Sequence, residues 1–153
     1  MIIQVQEKDF DIAKINRQLL GTRSDVGAIA SFIGLVRDLP DTPLQHMTLE
    51  HYPGMTEKSL QAILDKASQR WQIIDCAIIH RVGELRPTDQ IVLVSVLSAH
   101  RADAFAACEF IMDFLKTEAP FWKKETGSGK SAWVEARDSD DEAKDRWNTT
   151  VKK

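Results

Sequence analysis

Lys116 and Lys123 bracket the run Leu115-Lys-Thr-Glu-Ala-Pro-Phe-Trp-Lys123, and His100-Arg101 opens the segment leading to it. Arg37 closes an apolar run, and Arg137 follows Trp133-Val-Glu-Ala. Each of these cations stands at the end of an expected element, not in mid-face. Together they describe a pocket for an anionic substrate, with lysine available for acid–base or nucleophilic work. A lysine in the last turn of a helix ordinarily complements the macrodipole. Lys116 has a further feature: at ~100° per residue it projects between Phe105 and Met112, at the edge of an apolar stripe. A lysine so placed is expected to be partly desolvated, which disfavours its charged form. Phe121 and Trp122, next to Lys123, read equally well as a binding edge or as a core plug.

The element that positions these groups is a long helix entered at His100-Arg101. Phe105, Cys108, Ile111, Met112 and Leu115 give it one apolar face. Pro120 ends it, because proline lacks an N–H and pushes Ala119 out of helical dihedrals. Arg101 and Lys116 are fifteen residues apart in that helix. At ~1.5 Å per residue they are separated by roughly 22 Å, too far for both to touch one small molecule. The expected resolution is a two-fold dimer that sets the His100-Arg101 end of one copy beside the lysine end of the other.

The rest of the chain frames that helix. Ile3 and Val5 mark a short strand, and Asp9 or Asp11 caps a helix carrying Ile12, Ile15 and Leu19, stopped at Gly21. Residues 26–37 alternate as a strand, with Gly27 and Gly34 marking bulges or close backbone approach. Residues 44–52 form another strand. A helix follows Pro53-Gly54, with Leu60, Ile63, Leu64, Ala67 and Trp71 at helical period. Residues 75–82 and 90–97 are strands joined by a turn-bearing segment, and the second is apolar on both faces and therefore central. Residues 126–131, Thr-Gly-Ser-Gly-Lys-Ser, read as a mobile surface loop before a strand at 131–137. Ser139 to Glu142 reads as a capping box for a final helix, and residues 148–153 as a frayed tail. The order implies an α+β domain spanning 1–153, with a mixed, mainly antiparallel sheet.

Composition excludes several classes. The 153 residues are 43% hydrophobic, enough for a proper core, and the net charge of −3 argues against a general nucleic-acid binder. No run of ~18 apolar residues could span a membrane, and the N-terminus lacks signal-peptide character, so the expected location is cytoplasmic. The two cysteines, Cys76 and Cys108, have no metal-ligand spacing and sit in apolar runs, as inert buried thiols do. His46 and His51 point to opposite faces of their strand, so no metal site is expected, and His80 reads as a structural hydrogen-bonder. Nucleotide-binding, nucleophile-elbow and zinc-protease signatures are missing from the sequence.

Glu50-His-Tyr-Pro-Gly-Met-Thr-Glu-Lys58, His80-Arg-Val-Gly-Glu-Leu85, Ser98-Ala-His-Arg101, Leu115 to Lys123 and Trp133-Val-Glu-Ala-Arg137 occur in this order and spacing. In these motifs, over roughly residues 26–137, the chain closely resembles the large, catalytic subunits of molybdopterin synthase, the MoaE family. The resemblance implies an α/β-hammerhead fold with an additional antiparallel β subdomain. It implies sulfur transfer in molybdenum cofactor biosynthesis, converting cyclic pyranopterin monophosphate to molybdopterin. The sulfur would arrive as a thiocarboxylate on the Gly-Gly C-terminus of a small ubiquitin-like subunit, and no cofactor is implied. Two large subunits would pair centrally in a heterotetramer. By this analogy Lys116 and Lys123 are the catalytic residues, while Arg37, His100, Arg101 and Arg137 hold the substrate. The competing expectations are a non-catalytic, anion-binding adaptor for a ubiquitin-like partner, anchored by Phe121 and Trp122, and a small acyltransferase using a lysine.

Overall fold

In the computed structural model the sequence's periodicities become two four-stranded sheets and four α-helices, described over residues 1–38, 46–127, 130–134 and 138–148. The first sheet has the order β1 (Ile2–Gln6), β4 (Asp75–Arg81), β6 (Gln90–Ser98), β2 (Ala28–Leu35). Only β1 and β4 pair in parallel; β4–β6 and β6–β2 are antiparallel. β6 is interior, as its two-sided apolar run requires, and Val92 to Ser98 are all buried.

Strand parity assigns the two faces. Cys76 and Ile78 of β4 and Val92, Val94 and Val96 of β6 pack with helices α2 (Met55–Arg70) and α3 (Arg101–Glu118). Ala77, Ile79, Leu93 and Leu97 take the other face, covered by Phe10 and by Ile15 and Leu19 of α1 (Ile12–Leu20). Asp11 caps α1, accepting from the Lys14 N–H, and Gly21 ends it with φ at 52°. That cap is worth ~1 kcal/mol. Gly27 has its expected reason: a Cβ there would stand 2.1 Å from the Ala99 carbonyl oxygen. Gly34 sits at a register shift against β6.

The second sheet has the order β5 (Gly83–Leu85), β3 (His46–His51), β7 (Phe121–Gly127), β8 (Lys130–Val134), with antiparallel pairing throughout. This is the additional antiparallel subdomain on the α+β body. Met47, Leu49, Leu85 and Val36 form its own small core.

Several expectations change here. The segment between β4 and β6 holds a strand, β5, because Gly83 to Leu85 pair with Leu49 to Met47. A strand also follows directly on Pro120, since Phe121 and Trp122 begin β7. Of the expected 126–131 loop, Thr126, Gly127, Lys130 and Ser131 belong to a hairpin, while residues 128–129 lie outside the described residues. The last helix, α4 (Asp138–Asp145), starts before Ser139, so Ser139 is not its cap. A 3-10 turn, Arg146–Asn148, follows it, and the expected frayed tail beyond Asn148 lies outside the described residues. This C-terminal segment is tied to α3. The Trp147 indole N–H donates to Asp113 at 2.7 Å, and Arg146 pairs with the same carboxylate at 2.8 Å. Arg70 lies 5.1 to 5.8 Å from the Trp71, Phe110 and Trp147 rings and donates to the Trp147 carbonyl.

Candidate active site

α3 runs unbroken from Arg101 to Glu118, with Ala119 in extended backbone before Pro120. Its buried face is broader than the expected stripe: Ala104, Ala107, Cys108, Phe110, Ile111, Met112, Phe114 and Leu115. Phe105 is not part of it. At 66% exposure it lies on the solvent side of Cys108, and Lys116 is exposed as well. The expectation of an edge lysine partly desolvated beside Phe105 is therefore corrected; what surrounds Lys116 comes from the sheets instead.

Two histidines matter here: His80, the expected structural hydrogen-bonder, is within reach of the Lys116 charge, and His51, set aside as a metal ligand, is close to His80. His80 lies on the same face of β4 as Cys76 and Ile78, the face that meets α3, and is 6% exposed. Its ring stacks on Phe121 with centroids 3.7 Å apart and planes 16° from parallel. His51 flanks the same ring at 6.2 Å. Tautomers follow from the partners. The Arg81 carbonyl can only accept, so His80 donates from Nδ1 at 2.7 Å and leaves Nε2 as an acceptor. The Thr56 hydroxyl is donated to the Tyr52 carbonyl, so it accepts from Nδ1 of His51 at 3.1 Å. Burial pushes the His80 pKa down to about 4 against the pull of its bond to Arg81, and the nearby Lys116 charge and His51 push the same way. His80 is thus a neutral imidazole within electrostatic reach of Lys116. Strand parity could have found both residues, since His51 shares the face of Met47 and Leu49 just as His80 shares that of Ile78.

Lys123 arrives at the same end. Phe121 and Lys123 alternate onto one face of β7, in register with His51 and Leu49, while Trp122 takes the other face. There Trp122 packs at 4.8 Å on Tyr52, which is exposed. The two readings of these aromatics therefore divide by contact, since both are half-buried: Phe121 stacks on the buried His80, and Trp122 packs on the exposed Tyr52. Arg37 joins the lysine end too. β2 runs from Ala28, opposite Ser98, to Leu35, opposite Gln90, and Val36 then bonds with Asp89 and Thr88 and packs in the cluster containing Leu49. Arg37, exposed, comes next.

His100 and Arg101 stand at the opposite end of α3. With Gly27, Ala99 and Ala102 they line an open cleft of about 440 Å³. Apart from His100 and Arg101, its lining is glycine and alanine. The structure therefore splits the expected cationic set. Arg37, Lys116 and Lys123 share one end; His100 and Arg101 share the other, roughly 22 Å away along the helix. Arg137 lies outside the described residues. Among the described residues no group of three or more His, Cys, Asp or Glu side chains is disposed to hold a metal. Cys76 and Cys108 are buried, and burial raises both thiol pKa values, that of Cys108 to about 11, so neither is suited to carry sulfur.

Comparison with known proteins adds an independent line. Residues 5–118 match the family model described as MoaE protein. A molybdopterin synthase catalytic subunit from Ralstonia nicotianae is 59% identical over 146 residues, covering 95% of this chain and 83% of the relative. The molybdopterin biosynthesis MoaE protein from Burkholderia ambifaria superposes with a TM-score of 0.84 at 53% identity, covering 97% of this chain and 98% of that one. The crystal structure of molybdopterin synthase from Staphylococcus aureus gives 0.80 at 30% identity, covering 86% and 95%.

Proposed function

The chain belongs to the MoaE family, and from that premise we propose that it inserts sulfur into cyclic pyranopterin monophosphate to form molybdopterin. The observation that carries the reading is that the end of α3 bearing Lys116 and the start of β7 bearing Lys123 lie at one end of the molecule, beside the neutral His80 stacked on Phe121. A thiocarboxylate and a cyclic phosphate are both anions, and bringing them together needs cationic compensation. Lys116 and Lys123 provide it at the reacting carbon and at the partner's C-terminus. Arg37, His100, Arg101 and Arg137 hold phosphate and pterin. The sulfur comes from outside the chain, on the Gly-Gly terminus of a small ubiquitin-like subunit, which agrees with two buried, high-pKa thiols here.

The whole of residues 1–153 acts as one unit, supported by the C-terminal segment returning onto Asp113 of α3. The working assembly is a homodimer carrying a small subunit at each end. Its two-fold axis brings the His100-Arg101 cleft of one copy to the lysines of the other, because one copy alone holds them roughly 22 Å apart. The location is the cytoplasm; among the described residues no helix is long and apolar enough to cross a membrane. The adaptor reading loses one of its anchors, since Phe121 is stacked under His80.

The test is incubation of the purified chain with a thiocarboxylated small subunit and cyclic pyranopterin monophosphate. The dithiolene product is expected. No product from intact partner and substrate would overturn the reading.

A further inference from the structure

Lys116 and Lys123 sit on different elements, a helix end and a strand, joined only by Thr117 to Trp122. Nothing in that short connection fixes their relative placement by itself. The Phe121 N–H donates to the Ala119 carbonyl at 2.8 Å, which makes a tight corner at Pro120. The course of β7 is set by its pairing with β3, in which Phe121 lies opposite His51 and Lys123 opposite Leu49; how its first residues seat against the end of α3 depends also on what holds the Phe121 ring. That ring is held by His80, from the first sheet, in a flush stack at 3.7 Å. His51, from the second sheet, flanks it at 6.2 Å and is itself anchored to Thr56 in the first turn of α2. Phe121 is thus the point where both sheets, α2 and α3 meet, five residues after one lysine and two before the other.

We propose that His80 is a positioning residue: its ring, stacked on Phe121, seats the first residues of β7 against the end of α3 and so helps to hold Lys123 in place relative to Lys116. The inference deepens the sulfur-transfer reading of this site and rests on it. Three observations support it. His80 is 6% exposed and its Nδ1 is tied to the Arg81 carbonyl at 2.7 Å, so the ring cannot swing without losing a partly buried hydrogen bond. Phe121 and Lys123 project from the same face of β7, so a shift of the backbone at Phe121 is passed along the strand to the lysine two residues on. Burial keeps the imidazole neutral at ordinary pH, so an aromatic platform stands beside Lys116 without adding a second positive charge. The groups facing it are Lys116 from α3, His51 from β3 and the Arg81 carbonyl on its own strand. A phenyl ring keeps the stack but loses the bond to the Arg81 carbonyl, whereas a small side chain keeps neither.

The experiment compares His80→Ala, His80→Phe and Phe121→Leu in the complete enzyme with its thiocarboxylated partner. His80→Ala is expected to lower kcat roughly 100-fold with KM within about twofold, the pattern for misplaced reacting groups. His80→Phe restores kcat to within about fivefold of the parent, and Phe121→Leu reproduces the loss from the other side of the stack. A second readout needs no turnover: competitive acetylation of lysines, read by mass spectrometry. The reactivities of Lys116 and Lys123 change in His80→Ala and Phe121→Leu and return toward the parent pattern in His80→Phe. Unchanged kcat and unchanged lysine reactivities in a folded His80→Ala protein overturn the inference, as does a His80→Phe variant no better than His80→Ala. If His80→Ala does not fold, Phe121→Leu against His80→Phe decides by the same criteria. An inactive parent enzyme counts against the sulfur-transfer reading instead, and the acetylation pattern still judges the stack.

Discussion

The two ends of α3 carry the same sign of charge and are built in opposite ways. At the C-terminal end the elements that carry Lys116 and Lys123 meet beside packed rings: His80 flush on Phe121, with His51 beside it. At the N-terminal end His100 and Arg101 are exposed beside an open cleft of backbone and alanine. A supported end suits groups that must sit at fixed positions while bonds change. An open end suits capture of a hydrated anion, where charge and reach suffice. The difference implies that loss of a lysine should damage turnover, while loss of the arginine should damage binding.

The largest effect expected is from Lys116→Ala, about 1000-fold or more in kcat. Because Lys116 is exposed, stability should change by about 1 kcal/mol or less. A normally melting variant with near-parent activity would remove Lys116 from the chemistry. Deleting the last two residues of the small subunit comes next: transfer should stop while calorimetry still detects the complex, because contacts away from the tail remain. Unchanged transfer would show that the tail does not reach the lysines. Arg101→Ala should raise KM about tenfold and leave kcat nearly unaltered, as expected for one lost charge-assisted contact. A fall in kcat with constant KM would assign the arginine to the reacting end.

A smaller effect separates the ends by pH. His80 titrates near 4 in the folded chain and near 6.5 when unfolded, so between these values the unfolded state binds more protons. Stability contributed by keeping His80 neutral is present above about pH 6.5 and is lost as pH falls toward 4, by about 3 kcal/mol. Denaturant titrations at pH 7 and pH 4 should show this loss in the parent and a smaller one in His80→Phe. Equal losses in both proteins would mean that His80 is not a buried neutral group.

How much of this was legible in the sequence differs between the ends as well. The helix, its stop before Pro120 and the cations at its termini follow from period, proline chemistry and residue type. The buried strand β6 and the Asp11 cap were equally plain. The support under the lysines was not. It depends on His80 and His51 coming from strands of two different sheets onto one ring, and residue spacing along a chain does not encode that meeting. Phe105 misled for a related reason: an apolar residue one position off the buried arc keeps helical spacing, yet only tertiary packing decides that Ala104 faces the sheet and Phe105 does not. β5 was hidden because a strand of three residues between turns has no period to read.

The most direct test of the claim that the two ends meet between copies is subunit exchange. Lys116→Ala and Arg101→Ala homodimers are mixed in equal amounts, exchange is verified by native mass spectrometry, and turnover is measured below KM, where Lys116→Ala alone is nearly silent and Arg101→Ala alone keeps about a tenth of the parent rate. A site shared across the two-fold predicts activity rising to about a quarter of the parent level, since half the dimers are mixed and each holds one intact pocket of two. Confirmed exchange with no recovered activity would place Arg101 and Lys116 in a pocket within one chain and contradict the account.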